Sequence, residues 1–196
     1  MTPDTAPLGP GSLLKNGEIK LLSRLGTGGF GTVYLARTGD GLRAVKVVDT
    51  TLWSAQEYEV FNAMLMAEAS FLSTVEHPVL PKFGELVAEG KRYYLIMEWI
   101  RGLDLEQHVE KSGPLPLSEV HSLLRDLIEG LKHFHHGVEG GVVFGDLKPA
   151  NVMRVSADKF RLVDLGLASR VGHRLGGRFA IFSPNFSAPE RIVGAQ

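Results

Sequence analysis

Cysteine is missing altogether from the 196 residues, which excludes a disulfide framework, a thiolate metal cluster and a thiol nucleophile. A dominant charge is missing too. With 21 Lys and Arg against 22 Asp and Glu, the formal net charge is -1, so the chain lacks the general field that draws nucleic acid or an anionic membrane. Any recognition of phosphate has to be local. No apolar run approaches bilayer length, and the first residues, Met1 to Gly11, carry three prolines and no basic-then-apolar secretory pattern. These absences point to a soluble, cytoplasmic chain with no membrane segment and no nucleic-acid partner. What is present is a 44% apolar share, ample for one sizeable core or for two small lobes sharing a cleft.

The chain changes character along its length. Residues 1–17 are rich in Pro and Gly and read as a flexible tail. From Glu18 to Leu25, Val33 to Ala36 and Ala44 to Val48 the sequence turns apolar and β-branched, and Thr38-Gly39-Asp40-Gly41 suits a hairpin. Ser54 to Val75 follows a helical period through Phe61, Leu65, Glu68, Ala69 and Leu72, ending at His77-Pro78. A second strand pair, Lys82 to Ala88 and Arg92 to Met97, then turns at Glu89-Gly90. The expectation for residues 18–98 is a five-stranded antiparallel sheet with one long helix. Residues 99–196 read as helical first, over Leu103 to Glu110 and Leu117 to His136, and then as two short strands, Val152 to Val155 and Phe160 to Val163.

Three groups of residues carry chemistry. Gly26-Thr27-Gly28-Gly29-Phe30-Gly31-Thr32-Val33 fits G-x-G-x-x-G-x-V and lies between two strands, where glycine amides can approach phosphates without side-chain obstruction. A flexible glycine hairpin fits the same letters. Lys46 sits inside the apolar strand Ala44-Val45-Lys46, where an unpaired ammonium is costly to desolvate and needs an anionic partner. Asp146-Leu147-Lys148-Pro149-Ala150-Asn151 is followed by Asp164-Leu165-Gly166, a density of polar residues in fixed order that turn and cap roles alone do not account for.

Together these stretches resemble the eukaryotic-like, Hanks-type Ser/Thr protein kinases, whose signature set has the same elements in the same order. The compact lobes suggest the bacterial branch. The resemblance runs from about Ile19 to Glu190 and implies an α+β, bilobal protein-kinase-like fold that binds ATP with Mg²⁺, or Mn²⁺, and transfers the γ-phosphate to Ser or Thr hydroxyls of a protein substrate. By the same resemblance Asp146 is the base, Lys148 steadies the γ-phosphate, and Asn151 and Asp164 hold the metal. Glu68 pairs with Lys46, with Glu57 and Glu59 as runners-up. Gly26, Gly28, Gly29 and Gly31 cover the phosphates, while Leu25, Val33, Ala44 and Met153 line the adenine. Met97 gates the rear of that pocket, Glu98 to Ile100 form the hinge, and Asp104 meets the ribose. Lysine two positions after the base favours Ser/Thr over Tyr, and Ser183 stands where a threonine commonly bonds the catalytic lysine and aspartate.

Two departures qualify the resemblance. Phe144-Gly145-Asp146 replaces His-Arg-Asp, which removes the arginine that receives an activation-loop phosphate and leaves Arg170, Arg174 and Arg178 as other anion-binding candidates. The lower lobe is expected to be truncated and helical, with only Arg191 to Gln196 after Glu190. Missing helices, or a partner chain, would then have to cover an apolar face on Leu117 to His136. A nucleotide-binding pseudokinase scaffold, and a kinase-fold transferase acting on a non-protein substrate, are the competing readings.

Overall fold

In the computed structural model the described residues are 7–28, 31–138, 140–166, 168–170, 183 and 185–187. By packing, the chain divides into two units, Met1–Ser73 with Lys82–Trp99, and Thr74–Pro81 with Ile100–Gln196. The sequence places the division at 98/99 and assigns residues 74–81 to the first lobe, but that segment packs with the second unit.

The first unit is built from β1 (Leu13–Leu14), β2 (Ile19–Gly28), β3 (Gly31–Thr38), β4 (Gly41–Asp49), α1 (Ala55–Thr74), β5 (Phe83–Glu89) and β6 (Arg92–Glu98). The strands form one sheet in the order β1-β2-β3-β4-β6-β5, antiparallel at every pairing. Alternation sorts its residues onto two faces. Tyr34, Ala36, Val45, Val47, Tyr94 and Ile96 form a buried cluster with Leu14, Ile19 and Leu21. On the opposite face the register aligns Val33 with Lys46 and Leu95, and Ala44 with Met97.

Six strands, not five, make this sheet. Leu14 pairs with Ile19 and is only 2% exposed, and Leu8 packs against the same cluster. Backbone bonds from Gly11 N to Leu21 O at 2.8 Å and from Leu21 N to Ser12 O at 2.9 Å hold the approach. Much of the segment read as a flexible tail is therefore a sheet edge, because Leu8 and Leu14 supply apolar cover. A two-residue strand is too short to carry an alternation signal.

Helix α1 starts at a reciprocal cap. Ser54 N donates to Glu57 Oε2 at 2.8 Å and Glu57 N donates to Ser54 Oγ at 3.3 Å, satisfying two donors at the helix start. Ser54 Oγ also donates to Glu57 Oε2, at 2.7 Å, and that bond first, with the one from Ser54 N, holds the Glu57 carboxyl below its usual pKa range. Met64, Leu65, Glu68, Ala69 and Leu72 are its buried stripe.

The second unit contains β7 (Leu103–Asp104), α2 (Leu105–Ser112), α3 (Leu117–Lys132), a single π-helical turn (His133–Gly137), β8 (Val142–Val143), a 3-10 turn (Pro149–Asn151), β9 (Val152–Ser156), β10 (Lys159–Leu162) and β11 (Ser169–Arg170). β10-β9-β7 form one small sheet and β11-β8 another. The helix expected from Leu103 starts two residues later because Asp104 caps it, its Oδ1 accepting from Gln107 N at 2.8 Å. The helix expected to run to His136 leaves α geometry after Lys132.

One side of α3 is bound down. Arg154 grips Glu119 through Nε at 2.7 Å and Nη2 at 2.9 Å, and Asp126 Oδ2 accepts from Phe160 N at 2.8 Å. On the other side Leu117, Leu124 and Ile128 are exposed. Residues 74–81 lie along this unit, with Leu162 N donating to Val79 O at 2.7 Å and Arg161 Nη2 donating to Leu80 O. Gly130 permits the approach, since a Cβ there would stand 2.6 Å from Val79 Cγ1. Among the described residues no helix is long and apolar enough to cross a membrane.

Candidate active site

The first unit, taken by itself, contains a hairpin and a buried ion pair. β2 and β3 meet at Gly28 opposite Gly31, and the glycines there differ in kind. Gly31 is demanded by the fold, because its φ is +134° and a Cβ would come within 2.3 Å of Val47 O. Gly26 and Gly28 have nothing within 4 Å of a would-be Cβ. Glycine weakens a strand; Gly26 borders a register shift in the β2–β3 ladder, whereas Gly28 is kept where space is open. Gly29 lies outside the described residues.

Lys46 Nζ and Glu68 Oε2 are 2.8 Å apart, with the residues 4% and 2% exposed. Of the three candidate glutamates, Glu68 is the partner and Glu57 is used by the helix cap. A buried pair of this kind costs several kcal/mol per ion in desolvation and is often replaceable by apolar residues without loss of stability. Stability alone is therefore a weak reason to have it. Beside Lys46 the same sheet face carries Ala44 and Met97, both buried, and half-buried Val33. Leu25 is exposed. Glu98 braces the preceding turn, its Oε2 accepting from Lys82 N at 3.1 Å.

The second unit, taken by itself, contains a tight polar loop. β8 leads through buried Phe144 to Gly145, whose φ of +81° is the left-handed region that glycine enters without Cβ strain. Asp146 follows, 8% exposed, and three side chains converge on it. Lys148 Nζ is 2.8 Å from its Oδ2. Asn151 Nδ2 donates to the same Oδ2 at 2.9 Å and to the Asp146 carbonyl at 2.9 Å. Ser183 Oγ donates to Oδ1 at 2.7 Å and accepts from Lys148 Nζ at 3.0 Å. Pro149 opens the 3-10 turn that reverses the chain, which carries Asn151 back over Asp146.

Asn151 also ties in the next stretch, its carbonyl accepting from Val163 N at 2.9 Å. Asp164 then takes φ +60°, the left-handed region that is uncommon outside glycine and that Asp enters more readily than most residues. Gly166 N donates to Asp164 Oδ1 at 3.4 Å. Asp104 and Met153 are paired across β7 and β9, and Ile100 is buried. Sequence reasoning read Asn151 as a cation ligand and missed that its amide N–H₂ is bound to Asp146. The proline turn between the two residues is the signal that could have shown it.

Among the described residues no group of three or more His, Cys, Asp or Glu side chains is placed to hold a metal. A cation here would have to be completed by an amide oxygen and by its ligand's own phosphates. The donor set fits a hard ion: with Nδ2 of Asn151 turned to Asp146, Oδ1 is the amide's acceptor, and Asp164 is a carboxylate. Side chains at Arg170, Arg174 and Arg178, and the residue Glu190, lie outside the described set.

Known proteins resemble this chain along most of its length. The family pattern described as protein kinase domain matches residues 19–196. Serine/threonine-protein kinase pkn2 of Myxococcus xanthus is 34% identical over 96% of this chain and 23% of its own length. Sperm motility kinase 3A of Mus musculus is 29% identical over 95% of this chain and 38% of its own. Serine/threonine-protein kinase ATG1a of Arabidopsis thaliana is 32% identical over 90% of this chain and 28% of its own. The chain thus spans well under half the length of these relatives.

Proposed function

The chain belongs to the protein kinase family, of Hanks-type Ser/Thr class, and on that premise we propose that it transfers the γ-phosphoryl group of ATP to Ser or Thr hydroxyls of protein substrates. Use of ATP with a divalent cation is general in the family, and the bound nucleotide-metal complex supplies the phosphoryl group and most of the charge neutralisation. Mg²⁺ is the ion assigned, with Mn²⁺ as substitute.

The carrying observation is the convergence of Lys148, Asn151 and Ser183 on Asp146. These three donors hold the carboxylate in one position within a largely buried loop, as a group that orients a hydroxyl and takes its proton must be held. Lys148, shared between Asp146 and Ser183, sits where the charge of a phosphoryl oxygen can be met. Asn151 Oδ1 and Asp164 would hold the cation. Lys46, positioned by Glu68, presents an ammonium to anionic oxygens, and the open backbone of Gly26 and Gly28 allows phosphates to approach N–H groups. Positioning and charge stabilisation are nearly all that phosphoryl transfer asks of a protein.

Asp146→Asn tests this. With its oxygen kept toward Asn151 Nδ2 and Lys148 Nζ, which can only donate, the Asn amide sets its N–H₂ against Ser183 Oγ, which can rotate to accept, so the loop survives while the base is lost. Transfer from radiolabelled ATP to a protein hydroxyl should fall by roughly 10²–10⁴-fold with nucleotide affinity kept. Full transfer by the variant removes Asp146 as base. Phe144-Gly145 in place of the family's His-Arg supports a second reading, a nucleotide-binding scaffold, and it prevails if the unaltered protein binds ATP and transfers nothing to any acceptor. Phosphate appearing only on a small molecule gives the third, a non-protein substrate.

A further inference from the structure

Residues 74–81 meet the second unit at a pair of imidazoles. His77 and His133 stack with ring centroids 4.9 Å apart at 29°, and the edge of Phe134 closes on both rings at 6.2 and 6.3 Å. His133 lies in the π-helical turn, whose last residue, Gly137, is small enough to leave its ring in place: a Cβ there would be 2.8 Å from His133 Nδ1. His77 Nδ1 accepts the N–H of Val79 at 3.2 Å. That bond requires an unprotonated Nδ1 and so fixes the Nε2–H tautomer of neutral imidazole. The next carbonyls, Val79 O and Leu80 O, are those bonded by Leu162 N and Arg161.

We propose that the His77–His133 stack is a proton-sensitive clasp that holds residues 74–81 against α3, the π-helical turn and β10 when neutral and releases them on acidification. Protonating His77 at Nδ1 replaces an acceptor by a donor facing another donor, Val79 N–H, and sets a cation against the His133 ring. The charged and titratable groups around it are His133 on the π-helical turn, Glu129 on α3, which opposes release, and Arg161 on β10, which reaches Leu80 O. Desolvation first, and the His133 charge second, hold His77 below its usual value of 6.5, with Glu129 pulling the other way. A lowered folded-state value means the unfolded chain binds the proton more readily. The stabilisation is therefore complete above pH 6.5 and is lost as pH falls from there through the folded value.

The clasp stands apart from the catalytic assignment and is tested without it. In the whole chain, ring-proton resonances followed by NMR should show His77 titrating below 6.5, with the midpoint rising in His133→Gln. Amide exchange at Val79 and Leu162 should lose protection on acidification before the rest of β10 does. His77→Asn keeps an acceptor for Val79 N–H but cannot titrate, and should abolish this early loss. A midpoint at or above 6.5 in the native chain overturns the clasp, as does unchanged early loss in His77→Asn. Should His77→Asn fail to fold, the midpoint in His133→Gln decides instead: no rise overturns the clasp.

Discussion

At the scale of single residues, Lys46 and Glu68 separate function from stability. Removing one partner of a buried pair strands the other charge and costs about 3–5 kcal/mol, whereas replacing both by apolar side chains is often neutral or better. Lys46→Met should therefore lower the denaturation midpoint strongly, and Lys46→Met with Glu68→Leu should restore it. Both should bind ATP poorly in calorimetry. A double variant that binds normally would leave the pair as architecture. The sequence allowed Lys46 to be recognised as needing an anion because it interrupts an apolar strand. Among Glu57, Glu59 and Glu68 it favoured Glu68 by the helical period shared with Leu65 and Leu72 as well as by the family's spacing, and the Ser54-x-x-Glu57 spacing is that of the helix cap that occupies Glu57.

At the scale of elements, the β2–β3 hairpin holds glycines with opposite expectations. Gly31→Ala would place a methyl against Val47 O in a backbone region that L residues avoid, and should destabilise by about 1–3 kcal/mol. Gly28→Ala meets open space and should leave stability unchanged or raise it by about 0.5 kcal/mol, while weakening nucleotide affinity. Thermal midpoints and ATP titrations on the two variants check this, and equal effects on both quantities would refute the distinction. The motif letters alone do not divide the glycines this way. The strand pairs and α1 were readable from period and turn residues, but β1 was not, because its existence depends on Leu14 meeting Ile19 across the sheet edge. The end of α3 was also misplaced: His133 to Gly137 retains helical composition, and nothing in its local pattern marks the change from α to π geometry after Lys132.

At the scale of the whole chain, the exposed side of α3 is the feature that bulk composition hides. Leu117, Leu124 and Ile128 are 71%, 50% and 49% exposed, and contiguous apolar surface favours association. Leu124→Lys with Ile128→Lys should reduce self-association in sedimentation experiments while shifting stability by no more than about 0.5 kcal/mol. An unchanged oligomer distribution would show the face to be inert. The helix could be recognised as amphipathic from its sequence, and the resemblance to longer kinases implied an uncovered face. Which side of the helix is bound down was set by Asp158, Arg154 and Phe160 holding Arg125, Glu119 and Asp126, partners 33 to 35 positions away that no local pattern announces.

The detour of residues 74–81 has a practical corollary. The chain leaves its first unit after α1, is stitched into the second at Val79 and Leu80, and re-enters the first at β5. No single scissor cut can then yield the first lobe as a free-standing piece: whatever fragment begins at the amino end and stops at Trp99 carries along a borrowed strip whose backbone acceptors and apolar side chains belong to its neighbour.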